Sequence, residues 1–223
     1  MIIMERILEP EIMDNKKQVI AYAKADFSLS NQMFVDKLIA DYYSRLKNVL
    51  DIGCGPADVP IRLAKAMPSV YITAIDASDP MIQFARKQVN KAGLEKQIKV
   101  IKGRLPGLVL ENNYDAILSK DLLHHLPNPM VFWDEVKHLA KGETVIYVMD
   151  LFRPRSKEEA RNIVESFSGD ETPILKQDFY NSLLAAFTIN EIKAQLCEAE
   201  LNLEVEKVSE RHFIAKGLIR GNR

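Results

Sequence analysis

The chain has 223 residues, 47% of them hydrophobic and 27% charged, with a formal net charge of −1. That is enough for one sizeable globular core. It excludes the strongly basic surface that draws a protein to nucleic acid or to an anionic membrane.

In chain order, Glu5, Arg6, Glu9 and Glu11 interrupt any apolar leader. No apolar run reaches membrane-spanning length, so a cytoplasmic protein is expected. Residues 11–25 read as a short helix, followed by the turn-like DFSLSN. Val35, Leu38, Ile39, Tyr42 and Leu46 fall at helical spacing, which predicts a helix over 32–46. A strand over 48–52 runs into a glycine turn and a helix over 57–67, which Pro68 ends. VYITAID, 70–76, is a second strand. Ser78-Asp79-Pro80 opens a helix that stops near Gly93. Strands follow over 98–101, 114–119 and 144–149, with a helix over 131–140 before the last.

Strands alternating with helices predict a parallel sheet with crossovers, and near-continuous apolar strands predict burial on both faces. Residues 151–187 read as helical and loop-like, with capping boxes at Ser156-x-x-Glu159 and Thr188-x-x-Glu191. Strands over 203–208 and 212–218 are too close in sequence for anything but an antiparallel hairpin. The basic stretch RHFIAKGLIRGNR reads as a solvated strand end. The expected organisation is one domain over 1–223: a helical cap (1–46), a ligand-binding core (47–150), a helical cover (151–200) and a closing hairpin (201–223). Cys54 lies in the glycine turn and Cys197 in a helix, so neither a disulfide nor a metal framework is expected.

The turn itself is VLDIGCGPAD, 49–58. Gly53 allows a sharp turn and Gly55 lets a ligand lie on bare backbone. A dinucleotide site wants a third glycine where Asp58 stands, and a carboxylate there repels a pyrophosphate. No lysine follows in the manner of a nucleotide-phosphate loop. Asp51 and Asp58 instead suit a cationic ligand.

VLDIGCGPADVPIRLA, AIDASDPMIQFARK, IKGRLP and YDAILSKDLLHHLPNP, in that order and spacing, resemble the motifs of class I S-adenosylmethionine-dependent methyltransferases. The resemblance covers roughly residues 45–155. LHHLPNP is similar to the quinone-biosynthesis type among the small-molecule enzymes. It implies a Rossmann-like, doubly wound α/β sheet of about seven strands, closed by an antiparallel strand and covered by an N-terminal helical lid. Gly53, Cys54 and Gly55 would line the methionine part of S-adenosylmethionine, with Asp51 on the ammonium. Asp76 would accept both ribose hydroxyls, since one carboxylate matches a vicinal diol. Ala77 and Met81 would border the adenine, with Gly103 and Arg104 beside it and Ser119 and Lys120 at the end of strand four. Tyr22, Asp26 and Phe27 would belong to the lid, Tyr22 touching the cofactor. Ala57 stands where the family often has a glycine, and Arg104 where it often has an acid.

Ligands of an open α/β sheet bind beyond the carboxyl ends of its strands. His124 and His125 are therefore the candidates to take or orient an acceptor's proton, with Asp121 a second base or a partner fixing a histidine tautomer. Arg153, and less so Arg155, would hold an anionic group on the acceptor. Phe179 and Tyr180 would wall its pocket, and His212 is expected to be structural. The expected reaction is methyl transfer to oxygen, nitrogen or activated carbon of a small molecule, with neither membrane insertion nor a nucleic-acid partner. A homodimer stays open. The competing readings are an RNA or protein methyltransferase, a non-catalytic S-adenosylmethionine-binding protein and a nicotinamide oxidoreductase.

Overall fold

A computed structural model describes residues 4–9, 26–110 and 113–221. The expected helix over 11–25, and Tyr22 with it, lie outside the described residues. The first helix, α1, is Ser28–Tyr42, with a tight 3-10 turn at Tyr43–Arg45. It starts four residues before the apolar period because an Asp26 carboxylate oxygen accepts the Ser28 N–H at 2.8 Å. It ends short of Leu46, which is buried from an extended segment instead.

The core alternates as expected: β1 (Asn48–Ile52), α2 (Asp58–Ala66), β2 (Tyr71–Asp76), α3 (Asp79–Ala92), β3 (Ile98–Lys102), β4 (Tyr114–Lys120), α4 (Met130–Leu139) and β5 (Ala140–Leu151). Ser78 Oγ accepts the Met81 N–H and Gly93 closes α3 in the left-handed region, as cap chemistry dictates. Then come α5 (Lys157–Ser168), α6 (Pro173–Ala185), α7 (Ile189–Glu198), β6 (Glu204–Lys207) and β7 (His212–Gly221). The box at Thr188 and Glu191 is formed in both directions.

The seven strands of the described residues make one sheet, ordered β3-β2-β1-β4-β5-β7-β6. The first five are mutually parallel. The β6–β7 hairpin is antiparallel and closes the sheet against β5. The expected Rossmann-like, doubly wound architecture is the observed one. β5 is longer than its apolar stretch because β7 pairs with it from Gly142 to Leu151, through the polar Glu143.

Side chains on consecutive strand residues point to opposite faces, so the sheet feeds two cores. Val49, Ala116 and Tyr147 pack with Phe34 and Leu38 of α1 and Leu63 of α2. Leu50, Ile117 and Val148 pack with Trp133 and Val136 of α4 and Leu196 of α7. Trp133 Nε1 donates to Gln195 Oε1 at 3.0 Å and ties those two helices together. A third cluster, with Leu151, Ile163 and Leu183, seats α5 and α6 beyond the carboxyl end of β5. The N-terminal segment docks there too, with the Ile7 N–H donating to the Leu184 carbonyl at 3.0 Å.

Candidate active site

β1 delivers its chain into a turn with three left-handed residues, Gly53 (φ 80°), Gly55 (φ 52°) and Ala57 (φ 67°). An alanine in this region costs roughly 1–2 kcal/mol; Ala57 is fully buried, and its methyl joins the core. The Gly53 and Cys54 N–H groups both donate to the Ile75 carbonyl, at 2.8 and 2.9 Å. That ties the turn to the end of β2, where Asp76 stands. One Asp76 oxygen accepts the Gly55 N–H at 2.9 Å and the other the Ser78 N–H at 2.8 Å. Asp76 lines a cleft of about 840 Å³, and a carboxylate oxygen can accept more than one hydrogen bond. No atom lies within 4 Å of where a Gly55 Cβ would point.

Asp51 is the most telling group in that cleft. It is 2% exposed, and its Oδ2 has no hydrogen-bond partner among the described residues. Burial first, and the neighbouring Asp76 second, push its pKa up to about 7. A buried, unpartnered carboxylate is relieved by a cation, which is what the ammonium and sulfonium of S-adenosylmethionine offer. A pyrophosphate would add charge to two carboxylates, and Asp58 is already held by Asn31 Nδ2 at 2.8 Å and Arg62 Nε at 2.7 Å. The residues present fit the sulfonium cofactor.

Of the expected cofactor contacts, Asp51, Gly53, Cys54, Gly55, Asp76 and Ala77 line the cleft. So do Met81, Gly103, Arg104 and Lys120. Ser119 does not. It is buried, and its hydroxyl donates to the Ile52 carbonyl at 2.8 Å, bracing β1 against β4.

Beyond β4 a smaller cavity of about 110 Å³ adjoins the cleft. Asp26, Phe27, Asp121 and His125 line both, so the two are neighbours across those side chains. The two histidines have opposite situations. His124 is 3% exposed, and its Nδ1 meets Asp150 Oδ1 at 2.5 Å. Burial alone would lower its pKa, but the charge and hydrogen bond of Asp150 outweigh it and raise the value to about 9. His124 is thus a fixed imidazolium, and Asp150 also accepts the Leu123 and Leu151 N–H groups at 2.7 Å. His125 is about one-third exposed, and its Nδ1 meets Glu9 Oε2 at 2.8 Å. Burial would raise the Glu9 pKa, but the His125 hydrogen bond and charge bring it below the usual value.

Asp121 holds φ 55° and pairs with Lys120. Burial would raise its pKa, yet the Lys120 ammonium carries it down to about 2; it stays a carboxylate and is a weak base. His212 lines the inner cavity rather than only the sheet. The Ser209 hydroxyl accepts the His212 backbone N–H at 2.9 Å and lies 3.1 Å from its Nδ1. The His212 Nε2 is 3.8 Å from Asp121 Oδ1. Burial takes the His212 pKa down to about 4, so the ring is neutral.

Three expectations for the acceptor side are corrected. Arg153 lines neither cavity; it is 5% exposed, donates to the Ala186 carbonyl at 3.0 Å and pairs with Glu191 at 2.7 Å. The capping box of α7 had already committed that acid, and Arg153 completes it. Arg155 is exposed, its backbone N–H on Glu159. Tyr180 packs on the α5–α6 cluster outside both cavities, whereas Phe179 does line the inner one.

Glu9, Arg6 and Arg211 are the residues that sequence reasoning missed. Arg6 donates to the carbonyls of Ala185 (2.5 Å), His124 (2.9 Å) and Leu126 (2.9 Å), and stacks 3.8 Å from the Phe187 ring. It staples the histidine loop to α6. No motif marks these positions: Glu9 and Arg6 were visible only as charge near the start of the chain, and Arg211 opens the basic stretch expected to be solvated, whose residues 212–215 are in fact buried.

Residues 49–142 match the family described as methyltransferase domain. Malonyl-(acyl-carrier protein) O-methyltransferase of Priestia megaterium is 30% identical over 115 residues, 52% of this chain and 40% of that protein. Ribosomal RNA small subunit methyltransferase G of Salmonella paratyphi B is 25% identical over 144 residues, 59% of this chain and 69% of that protein. The chain spans about two fifths of the length of the first curated relatives it matches. The plantazolicin methyltransferase BpumL, solved in complex with SAH, superposes with a TM-score of 0.73 at 17% identity, over 94% of this chain and 91% of that one. At that identity the likeness speaks for the fold.

Proposed function

We propose that this chain, whose residues 49–142 match a methyltransferase domain family, is a class I S-adenosylmethionine-dependent enzyme that methylates a small molecule held in the cavity beside His125. The observation that carries the reading is Asp51 Oδ2, buried without a partner at the mouth of the glycine turn. A cation is the ligand that resolves it.

When bound, S-adenosylmethionine supplies a methyl group on a positively charged sulfur, which an acceptor lone pair displaces in line. Asp51 meets the ammonium end. Asp76 accepts the ribose hydroxyls, and the bare backbone at Gly55 allows close approach. Much of the rate then comes from alignment and exclusion of water. His125 directs Nδ1 at Glu9, which leaves Nε2 to take the acceptor's proton. His124, locked on Asp150, positions the loop and takes no proton. The acceptor atom is oxygen, nitrogen or activated carbon. A cytoplasmic setting suits the two free cysteines, and none of the described helices is long and apolar enough to cross a membrane.

A second reading, methylation of RNA, draws on the likeness to the ribosomal RNA enzyme. The net charge of −1 speaks against it, and salt-sensitive RNA binding would favour it.

Calorimetric titration with S-adenosylmethionine, S-adenosylhomocysteine and NADH, on wild type and Asp76→Ala, tests the cofactor. Binding of the first two, lost in the variant, is expected; NADH binding in their place overturns the reading.

A further inference from the structure

We propose that Arg211 receives an anionic group of the acceptor, and that the acceptor is a small monocarboxylate with an apolar body. This rests on the methyl-transfer reading and specifies its substrate class.

Arg211 precedes β7, where the hairpin turn fixes its backbone. Its N–H donates to Ser209 Oγ at 3.2 Å, and its carbonyl accepts the Phe152 N–H at 3.0 Å. The side chain enters the inner cavity. The guanidinium lies 3.9 Å from the Phe167 ring centroid and 5.3 Å from that of Phe179. Two aromatic faces hold its plane, an arrangement that suits guanidinium rather than ammonium. Its Nη1 is buried and has no hydrogen-bond partner among the described residues. An unpaired charged donor away from water is costly, and burial lowers the pKa of the group accordingly. Arg153 also keeps a buried Nε without a partner, but its other donors hold the Ala186 carbonyl and Glu191 and it lines neither cavity. Arg211 lines the inner cavity with Nη1 unpartnered among the described residues.

The other charges on that cavity narrow the ligand. Asp121 is the acid whose field reaches Arg211; Lys120 pairs with its Oδ2, while its Oδ1 has no partner among the described residues. Asp26, Asp178 and Glu171 also line the wall, as does the His124 imidazolium. These acids disfavour a dianion such as a phosphate monoester, so that a single negative charge, met by the guanidinium and the imidazolium, is the ligand charge proposed. Phe27, Leu151, Leu175 and Phe179 supply the apolar part of the wall. A volume of about 110 Å³ is on the order of that of a cavity that takes a benzene ring, about 150 Å³. His125 lines both this cavity and the cofactor cleft. A carboxylate on Arg211 therefore anchors one end of the acceptor while its other end approaches His125.

The test is calorimetry on protein loaded with S-adenosylhomocysteine, titrated with benzoate and phenylacetate, with their amides, and with phenylphosphonate. Wild type is expected to bind the acids about tenfold or more tighter than the amides, about 1.4 kcal/mol. Arg211→Gln abolishes that preference, and Arg211→Lys keeps part of it. S-adenosylhomocysteine affinity and the thermal melt stay unchanged in both, which shows a folded protein. Equal binding of acids and amides, no binding of either, or a preference that survives Arg211→Gln overturns the proposal. Tighter binding of phenylphosphonate than of benzoate overturns the carboxylate class. Failure of S-adenosylhomocysteine to bind is the separate failure of the methyl-transfer reading. The acid–amide comparison then runs on unloaded protein and decides Arg211 by the same outcomes.

Discussion

Glu9 Oε2 lies 2.8 Å from His125 Nδ1, so an acid near the start of the chain sets the tautomer of a histidine in the loop after β4. This division of labour predicts unequal losses. Removing His125 by substitution with alanine should lower the rate of labelled methyl transfer into a metabolite extract by about 10²–10⁴-fold. Glu9→Gln should cost less, because the amide oxygen still accepts from Nδ1. Equal rates in wild type and His125→Ala would remove the proton-taking role.

Asp51 makes a trade between stability and binding. Its pKa of about 7 lies above the ordinary 3.8, so the folded protein holds that proton more tightly than the unfolded chain. Ligand-free stability therefore falls as pH rises from about 4 to 7. Asp51→Asn should raise the melting temperature of the free protein at pH 8, by at most about 4 kcal/mol of stability at about 1.4 kcal/mol per pKa unit. The same variant should lose S-adenosylhomocysteine affinity. In wild type that affinity should rise with pH to a plateau above about 7, and be flat in the variant over that range. Melts and titrations at pH 6 and 8 check all three.

His124 works in the opposite direction. Its pKa is raised from 6.5 to about 9 by Asp150, against the effect of burial. The stability this pair contributes is complete below pH 6.5 and disappears as pH rises through about 9. Asp150→Asn removes the charge that keeps the proton on His124, so burial leaves the ring neutral and the variant should lose about 3 kcal/mol near neutral pH, with a smaller penalty at pH 9.5. Denaturant melts across that range measure it; a pH-independent penalty would contradict the charged state assigned to His124.

Gly55 faces open cleft at φ 52°. Gly55→Ala should cost about 1–2 kcal/mol in stability through backbone strain. Its methyl also fills the space above the turn, so cofactor affinity should fall by more than that strain accounts for. A variant that melts lower yet binds S-adenosylhomocysteine normally would show that nothing lies against Gly55.

Much of the scaffold was readable in the chain because its signals are local. Alternating apolar strands and capped helices, Ser78 with Pro80 and Thr188 with Glu191, need only neighbours to act. The glycine turn was readable for the same reason, whereas Asp76 was singled out through the resemblance. The acceptor side was not, because its decisive contacts join distant segments. Arg153 and Arg211 look alike in sequence, yet one completes a helix cap and the other ends in a cavity. His124 and His125 are adjacent, and only Asp150 and Glu9, reached through tertiary packing, make one a fixed cation and the other an adjustable ring. The start of α1 shifted for a short-range reason, the Asp26 carboxylate, which the apolar period does not register.

Phe179 and Arg211 line the inner cavity alone, whereas Asp26, Phe27, Asp121 and His125 are common to it and the cleft. Asp51, Gly53, Gly55 and Asp76 lie inside the stretch 49–142 that matches the family. Glu9, Phe27, Phe179 and Arg211 lie outside it. On the proposed reading, a change at Phe179 or Arg211 would alter what is methylated while leaving the methyl source intact. Ranking relatives by overall likeness would then sort them by a shared reagent, and two proteins with the same preference could rank far apart. Residues facing Arg211 would be the ones to compare when asking which of them share a substrate.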